Sequence, residues 1–244
     1  MLMTIYKRAF NVLLQKPFKL WGISLLAILL SSVLSGLCGV AIPALGIAVS
    51  LLISTAMTVI YLRGYRGEAV EVTDLFACFK DWNTIKRVVL GLGWMYLWIF
   101  LWSLIPIVGP FIAIVRSYEY RLTPYILVFE PDVPITEAIK LSSKRTHGYK
   151  LQMWLADFVY VLMFVGVVIV LALLALIPYL GVLFTIALIF LCIIYVALAP
   201  LFGGLVQAAF YEEIAAANAR VCPNCGLRVA PEASFCANCG TPMN

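Results

Sequence analysis

The sequence from residue 157 to residue 212 reads DFVYVLMFVGVVIVLALLALIPYLGVLFTIALIFLCIIYVALAPLFGGLVQAAFYE. Between the acidic residues at its ends, Asp157 and Glu212, no side chain carries a charge. A bilayer-spanning helix needs about 20 consecutive apolar residues, so the stretch is long enough for two. Its one plausible turn is IPYLG at 177–181, because proline ends a helix and glycine permits a tight reversal. The stretch therefore predicts a hairpin of two transmembrane helices.

The composition of the whole chain agrees with this interpretation. Of its 244 residues, 64% are hydrophobic and only 12% are charged, and the mean hydropathy is +1.04. Soluble domains carry about 25% charged residues, so lipid must be the solvent for most of this chain. The net charge of +5 is modest, and in a membrane protein it informs topology rather than nucleic-acid binding. We expect an all-α integral membrane protein.

Six apolar segments are long enough to span a bilayer. They lie near 20–37, 44–62, 88–105, 107–129, 151–177 and 182–210. The fourth is the weakest, because it contains three charged residues. The first follows a basic N-terminal stretch, as the core of a cleaved signal peptide would, but the run at 20–37 is longer than a typical signal core, which favours a first membrane helix.

The turn motif IPxxG occurs three times, at 42–46, 105–109 and 177–181, each time between two apolar segments. A short amphipathic stretch precedes each pair of spans. These stretches open at Thr4, Thr73 and Thr136 and end at the bases Lys19, Arg87 and Lys150. Hairpins can resemble each other by chance, but three copies of one turn at matching places favour a repeat. We predict a membrane domain over 1–219, built as three repeated hairpins with interfacial helices.

The basic residues predict the orientation, because cytoplasmic loops are enriched in Lys and Arg. The N-terminus and the segments 63–87 and 140–150 are rich in these residues, whereas the three IPxxG turns carry no charge. We therefore expect a multi-pass protein of the plasma membrane with both termini and every sizeable loop in the cytoplasm, and with membrane lipids as its surroundings.

The C-terminal segment 220–244 contains two cysteine motifs, CPNCG at 222–226 and CANCG at 236–240. Cys222, Cys225, Cys236 and Cys239 have the spacing of a tetrahedral zinc ribbon with one structural Zn²⁺. A tail this short cannot fold on its own apolar area, so the metal would stabilise it. Two disulfides or redox-active pairs are the alternatives, and a cytoplasmic location disfavours stable disulfides.

Four charged residues lie within or near the predicted spans: Arg116, Glu119, Arg121 and Asp157. Ionisable groups inside a bilayer cost several kcal/mol unless they are paired, which makes them candidates for function. Arg116 and Glu119 share one helix face at i, i+3. We consider two interpretations: a polar site for a lipid headgroup or ion, and an ion pair that fastens the fourth helix to the fifth or ends the span early.

Two stretches carry a resemblance to known proteins. They are YRLTPYILVFE at 120–130 and AIKLSSKRTHGYK at 138–150. They resemble prokaryotic membrane proteins of the DUF975 type and the membrane domain of some glycerophosphodiester phosphodiesterases. The residues that carry the resemblance are Ser142 or Ser143, Gly148 and Lys150. It implies a six-span layout and no established chemistry, and the aromatic-rich continuation is replaced by LQMWLAD at 151–157.

The sequence has features that bear on three classes of function. The first is a non-enzymatic membrane protein whose cytoplasmic ribbon and interfacial helices bind another protein. The second is a small transporter, channel or lipid-handling protein that uses the charged fourth helix. An enzyme is the third, and it is disfavoured because four thiolates leave no open zinc position and the chain has one histidine. The ribbon segment has a net charge of only +1, so we do not expect a nucleic-acid partner.

Overall fold

The structure is a computed structural model that describes residues 2–15, 17–177, 179–229, 235–236 and 238–243. It is mostly helical. The α-helices are α1 (Leu2–Gln15), α2 (Pro17–Ala41), α3 (Pro43–Tyr65), α4 (Trp82–Ser103), α5 (Gly109–Glu119), α6 (Thr123–Phe129), α7 (Ile135–Arg145), α8 (Lys150–Leu174) and α9 (Gly181–Asn218). A 3-10 helix at Val72–Phe79 lies between α3 and α4. Two short antiparallel strands follow α9, β1 (Arg220–Val221) and β2 (Arg228–Val229).

Within the described residues, five helical segments are long and apolar enough to cross a membrane. They are Lys19–Leu37 in α2, Pro43–Tyr65, Trp82–Ser103, Lys150–Leu174 and Gly181–Asn218. The most apolar window of α8 and that of α9 contain no buried residue, so these two helices present apolar side chains outward, as a lipid surrounding requires. The 38 residues of α9 extend about 57 Å at 1.5 Å per residue, well beyond a hydrocarbon core of about 30 Å.

The core of the membrane domain surrounds α3. In its most apolar window 61% of the residues are buried, against 22% in the windows of α2 and α4. Helix α3 contacts α2, α9, the 3-10 helix, α4 and α6. Ile60 and Leu62 of α3 are fully buried together with Leu20 of α2 and with Leu201 and Leu205 of α9. Helix α3 is therefore the central helix against which the others pack.

The predicted fourth span at 107–129 is not one helix in this structure. It consists of α5, which has 11 residues and a length of about 16 Å, and of α6, which has seven. The chain turns between them at residues 120–122. Pro124 at the start of α6 contributes to the break, since proline lacks the N–H that a continuous helix would use and clashes with the preceding turn. Neither half is long enough to cross a bilayer alone, so six full spans are not found among the described residues.

The IPxxG turns share one backbone hydrogen bond. The glycine N–H donates to the isoleucine carbonyl four residues earlier, at 3.3 Å from Gly46 to Ile42, 2.9 Å from Gly109 to Ile105 and 2.9 Å from Gly181 to Ile177. The second and third turns also place their third residue, Ile107 or Tyr179, at a positive φ of 64° or 68°. In the first turn α3 begins directly at Pro43. Pro178 lies outside the described residues.

The order of elements follows the predicted units only coarsely. A short helix, a long helix and a return helix succeed one another as α1–α3, as the 3-10 helix with α4 and α5, and as α7–α9. The short element of the second unit is a 3-10 helix and its return helix is half-length, so the units differ in the elements they would have to share. The threefold repeat stays a prediction.

We predict that Gly109→Ala destabilises the protein. A Cβ at residue 109 would lie 2.6 Å from the carbonyl oxygen of Trp102 and 3.0 Å from that of Ser103. Both are backbone atoms, so the steric clash could be relieved only by moving the main chain. We expect a loss of about 1–3 kcal/mol, measured as a lower Tm in one detergent. Gly166→Ala is the control, because a Cβ there meets nothing within 4 Å and alanine favours a helix by up to about 1 kcal/mol. Equal Tm values for the two variants would contradict this account of the turn.

Candidate metal centre and charged membrane site

The two cysteine motifs fold into matching turns. In the first, Cys222 N–H donates to the Leu227 carbonyl at 2.8 Å and Gly226 N–H to the Cys222 carbonyl at 2.9 Å. In the second, Cys236 N–H donates to the Thr241 carbonyl and Gly240 N–H to the Cys236 carbonyl, both at 2.8 Å. The glycines have φ values of 70° and 69°, a conformation that side chains disfavour. Each glycine closes a turn that directs its two thiols to one point.

The four thiols lie together. All four Sγ atoms are within 4.8 Å of one another, and the pairs Cys222–Cys239 and Cys225–Cys236, one thiol from each motif, are 3.6 Å apart. This is far longer than a disulfide bond of about 2.05 Å. Tetrahedral zinc with Zn–S bonds of about 2.3 Å separates its sulfurs by about 3.8 Å. The cluster fits one zinc ion and leaves no position for a water ligand.

Local hydrogen bonds favour the metal-binding thiolate form of two of the four cysteines, Cys239 and Cys222. The hydroxyl and the backbone N–H of Thr241 lower the pKa of the Cys239 thiol to about 6. The Cys225 backbone N–H lowers the pKa of the Cys222 thiol. Cys222 and Cys236 are buried at 1% and 2% exposure, and with Val229 they form a separate small core against which Met243 packs.

Residues 221–243 match the zinc-ribbon domain family. The segment is a zinc ribbon. No curated protein and no solved structure matches the chain. The predicted cofactor is confirmed, since the four cysteines of this zinc ribbon form a tetrahedral-like cluster that is consistent with one structural zinc ion. The match covers only the C-terminus, so it gives no family for the membrane helices.

The outer surface of the zinc ribbon carries large apolar side chains. Val221 is 61% exposed, Leu227 44% and Phe235 63%. These three side chains lie outside the core formed by Cys222, Val229 and Cys236. We call them the ribbon's apolar surface.

Among the four predicted charged residues, the structure forms two sets of ion pairs rather than one cluster. Glu119, 6% exposed, binds Arg116 Nη1 at 2.5 Å and Lys150 Nζ at 2.6 Å. Ser143 also donates to Glu119 at 3.3 Å. One carboxylate thus lies between two cations, from α5 and from the start of α8.

Asp157 belongs to the second set. Arg121 donates to both of its carboxylate oxygens, at 2.6 and 3.1 Å, and the Tyr118 hydroxyl donates at 3.0 Å. Tyr118 and Arg121 are at the end of α5 and just after it, whereas Asp157 is on α8. The pair therefore fastens the end of α5, within the fourth predicted segment, to α8, which is the fifth. This is the arrangement that the ion-pair interpretation of these residues predicts.

Sequence reasoning missed how the break between α5 and α6 is held. The Ser142 hydroxyl donates to the Glu119 carbonyl at 2.7 Å and accepts from Leu122 N–H at 3.2 Å. The Thr146 hydroxyl also donates to the Glu119 carbonyl, at 3.1 Å. Ser142 and Thr146 are both 0% exposed. Their hydroxyls satisfy the backbone groups that the interrupted helix leaves without helical partners, which an apolar interior requires.

The end of α6 is held in the same manner by charged groups. Arg87 donates to the carbonyls of Leu127 at 3.0 Å and Glu130 at 2.7 Å, and also to that of Val133. Arg145 makes two hydrogen bonds to the Glu130 carboxylate, at 2.5 and 2.9 Å. A bidentate pair of this kind is strong and directional. The sequence signal for these roles is that Ser142 and Arg145 both lie within the resemblance stretch at 138–150.

We predict that the full-length protein binds one zinc per chain and that Cys236→Ser lowers its zinc affinity by more than tenfold. Loss of a thiolate removes a metal ligand, and even outer-shell changes cost about 10–100-fold. Metal content after exposure to a competing chelator measures this. Cys192→Ser is the control, because Cys192 is an exposed free thiol on α9. Equal zinc retention by both variants would contradict the assigned ligand set.

Two neighbouring serines test the helix break. Ser142→Ala removes two hydrogen bonds and leaves the buried Leu122 N–H without its partner, which costs about 1–3 kcal/mol. Ser143→Ala removes one 3.3 Å contact to a carboxylate that keeps two cations, so we expect a much smaller effect. Thermal unfolding in detergent compares them. A Tm drop for Ser143→Ala as large as that for Ser142→Ala would exclude the role assigned to Ser142.

Proposed function

We propose that this protein is a non-enzymatic membrane adaptor, in which bilayer-spanning helices hold a zinc ribbon at the cytoplasmic surface and the ribbon binds a partner protein. The observation that carries the proposal is the ribbon's apolar surface, formed by Val221, Leu227 and Phe235. Three large apolar side chains left exposed on so small a module are candidates for contact with a protein partner. In a module with so few core residues, zinc supplies the fold and leaves these side chains available for contact.

The chemistry of the ribbon supports a protein partner over the other classes. Its charged side chains are Arg220, Arg228 and Glu232, a net charge of +1, whereas phosphate-backbone binding requires several cations. Four cysteine ligands give a closed coordination sphere, which suits a structural rather than a catalytic metal. We therefore place the function in binding and not in catalysis.

The distribution of charge supports a cytoplasmic location for the ribbon. Arg8 pairs with Glu213 and Arg66 with Glu212, both at 2.6 Å. These contacts join α1 and the end of α3 to the C-terminal part of α9, on the side from which the ribbon emerges. At the opposite ends of the spans, the turns expose Ile107 at 86% and Tyr179 at 103%. By the bias of Lys and Arg toward the cytoplasm, we assign the charged side to the cytoplasm of a plasma-membrane protein, with both termini inside and α1, the 3-10 helix and α7 at the interface.

We further propose that the membrane domain is related to the DUF975 type. Support comes from the residues that carry the resemblance, each of which has a structural task. Ser142 bridges the helix break, Gly148 has a φ of 87° at the turn before α8, and Lys150 pairs with Glu119. These tasks account for the residue types in the shared stretch.

The alternative proposal, a transporter, channel or lipid-handling protein that uses the charged fourth helix, has less support. Arg116 and Glu119 pair with each other, and Arg121 pairs with Asp157. Charges that satisfy one another within the protein stabilise its packing and are less available to a ligand.

The decisive variant is Leu227→Ser with Phe235→Ser, which removes most of the apolar surface and keeps all four zinc ligands. We expect it to bind zinc as wild type does and to lose a partner that the tagged wild-type chain retains from gently solubilised native membranes. Mass spectrometry identifies that partner, and reconstitution of the purified pair then measures its Kd. We expect at least tenfold weaker binding, because two exposed anchor residues of an interface typically contribute more than 1 kcal/mol each.

Tyr179→Ser is the matched control, since it removes an exposed aromatic from the opposite end of the spans. A second control, with all four zinc ligands changed to serine, should lose the same partner. A partner held equally by the wild type and by both ribbon variants, or no specific partner retained by the wild type, would overturn the adaptor proposal.

A further inference from the structure

A cleft of about 630 Å³ lies between α2, α3 and the distal half of α9, within the segments that can cross a membrane. Its size is in the range of about 300–1,000 Å³ found for small-molecule sites. Two stripes of small polar residues line it. On α2 they are Ser24, Ser31, Ser32 and Ser35, and on α3 they are Ser50, Ser54 and Thr58.

The stripe on α2 extends from Ser24 to Ser35 and that on α3 from Ser50 to Thr58, so the polar lining follows the helices for about 16 Å and about 12 Å at 1.5 Å per residue. The described lining residues include no Lys, Arg, Asp, Glu or His. Ser32 and Ser54 are exposed at the cleft's surface, and their hydroxyls donate to backbone carbonyls on their own helices at 2.9 Å. Their oxygens can still accept hydrogen bonds.

The end of the cleft near the start of α2 contains aromatic hydroxyls. Ser24 Oγ and Tyr61 OH are 2.9 Å apart, and Tyr125 and Gln207 contribute to the same lining. Gln207 donates its amide N–H to the Arg121 carbonyl at 3.1 Å. Gly204 permits α9 to approach the Tyr61 ring, because a Cβ at residue 204 would overlap it.

Tyr125 is the second, independent indication of a ligand. Its side chain is 1% exposed, and its ring stacks on Tyr211 with a centroid distance of 4.4 Å. Its hydroxyl has no hydrogen-bond partner among the residues that the structure describes. Buried hydroxyls are normally satisfied. Of the three buried hydroxyls without a partner among the described residues, those of Tyr125 and Ser35 belong to residues that line the cleft, and that of Thr123 does not.

We propose that this cleft binds a membrane lipid whose polar head is uncharged and carries a free hydroxyl, the chemistry of diacylglycerol. Hydroxyl and amide groups would bond the head at the Tyr125 end, and the apolar residues between the serines, such as Ala27 and Ile53, would contact the acyl chains. A phosphate-bearing head would be buried without a cation, which is costly in a low-dielectric site.

A second copy of this chain is the rival occupant, because small residues at helical spacing also mediate association of membrane helices. The unpartnered Tyr125 hydroxyl in the cleft lining favours a lipid, since a polar head can enter the cleft whereas a helix face packs against its surface. Native mass spectrometry of the detergent-solubilised full chain separates the two, as it reports both lipid adducts and chain number.

The test titrates the chain with dioleoylglycerol, with dioleoyl phosphatidic acid and with the methyl ether of dioleoylglycerol. We expect dioleoylglycerol to bind tighter than either of the others. Tyr125→Phe keeps the ring stacking and should weaken its binding about fivefold, the value of one hydrogen bond. Ser54→Leu fills the cleft and should abolish binding, whereas Tyr195→Phe, on α9 outside the cleft lining, should bind as wild type does.

Three outcomes would overturn the proposal. The first is equal binding of dioleoylglycerol and phosphatidic acid. The second is wild-type affinity in both Tyr125→Phe and Ser54→Leu. The third is a dimer that Ser54→Leu dissociates while no lipid adduct forms, which would assign the cleft to a second copy of the chain. None of these outcomes depends on the zinc ribbon, so the adaptor proposal stands or falls separately.

Discussion

The hydrocarbon interior of a bilayer contains no water to satisfy backbone N–H and C=O groups, and a chain whose helices can cross a membrane is subject to this constraint. Long helices meet it by bonding internally. The break between α5 and α6 cannot, so the side chains of Ser142 and Thr146 replace the missing helical bonds there, and Arg87 does so at the end of α6. Once the break is held, Arg121 can reach Asp157 and Glu119 can lie between Arg116 and Lys150. The ion pairs of these charged residues thus depend on the interruption of the helix and on the side chains that stabilise it.

Features set by local chemistry were predictable from the sequence. The uncharged stretch at 158–211 predicts two helices because no other structure satisfies its backbone in lipid, and α8 and α9 occupy it. The zinc site follows from spacing alone, since two residues between paired cysteines and a glycine after each pair leave few other geometries. The glycines at 226 and 240 have the positive φ that the motif suggests.

Features that depend on tertiary contacts were not predictable. Hydropathy cannot show that 107–129 is broken, because α5 and α6 are both apolar and what permits the break is a pair of hydroxyls about 20 residues later. Charge counting groups Arg116, Glu119, Arg121 and Asp157, but it cannot assign all their partners. Lys150 is identified in the sequence as the base before a span and as part of the resemblance, not as a partner of Glu119. The cleft between α2 and α3 could not be predicted from the sequence either. Its serines have ordinary helical spacing, and Tyr125, which is on α6, joins its lining only in the folded structure.

The helices that can cross a membrane and the zinc ribbon are stabilised in different ways. The long helices expose apolar side chains that lipid can cover, whereas the ribbon has a very small core and four cysteines that one metal ion can join. Their combination makes functional sense only if the ribbon faces the compartment of its partner. The most direct measurement is labelling of a full-length Tyr179→Cys variant with a membrane-impermeant thiol reagent, in intact cells and in inverted membrane vesicles. The account predicts labelling of residue 179 in intact cells and none in sealed inverted vesicles; labelling in the vesicles alone would place the turn inside, the ribbon outside, and contradict it.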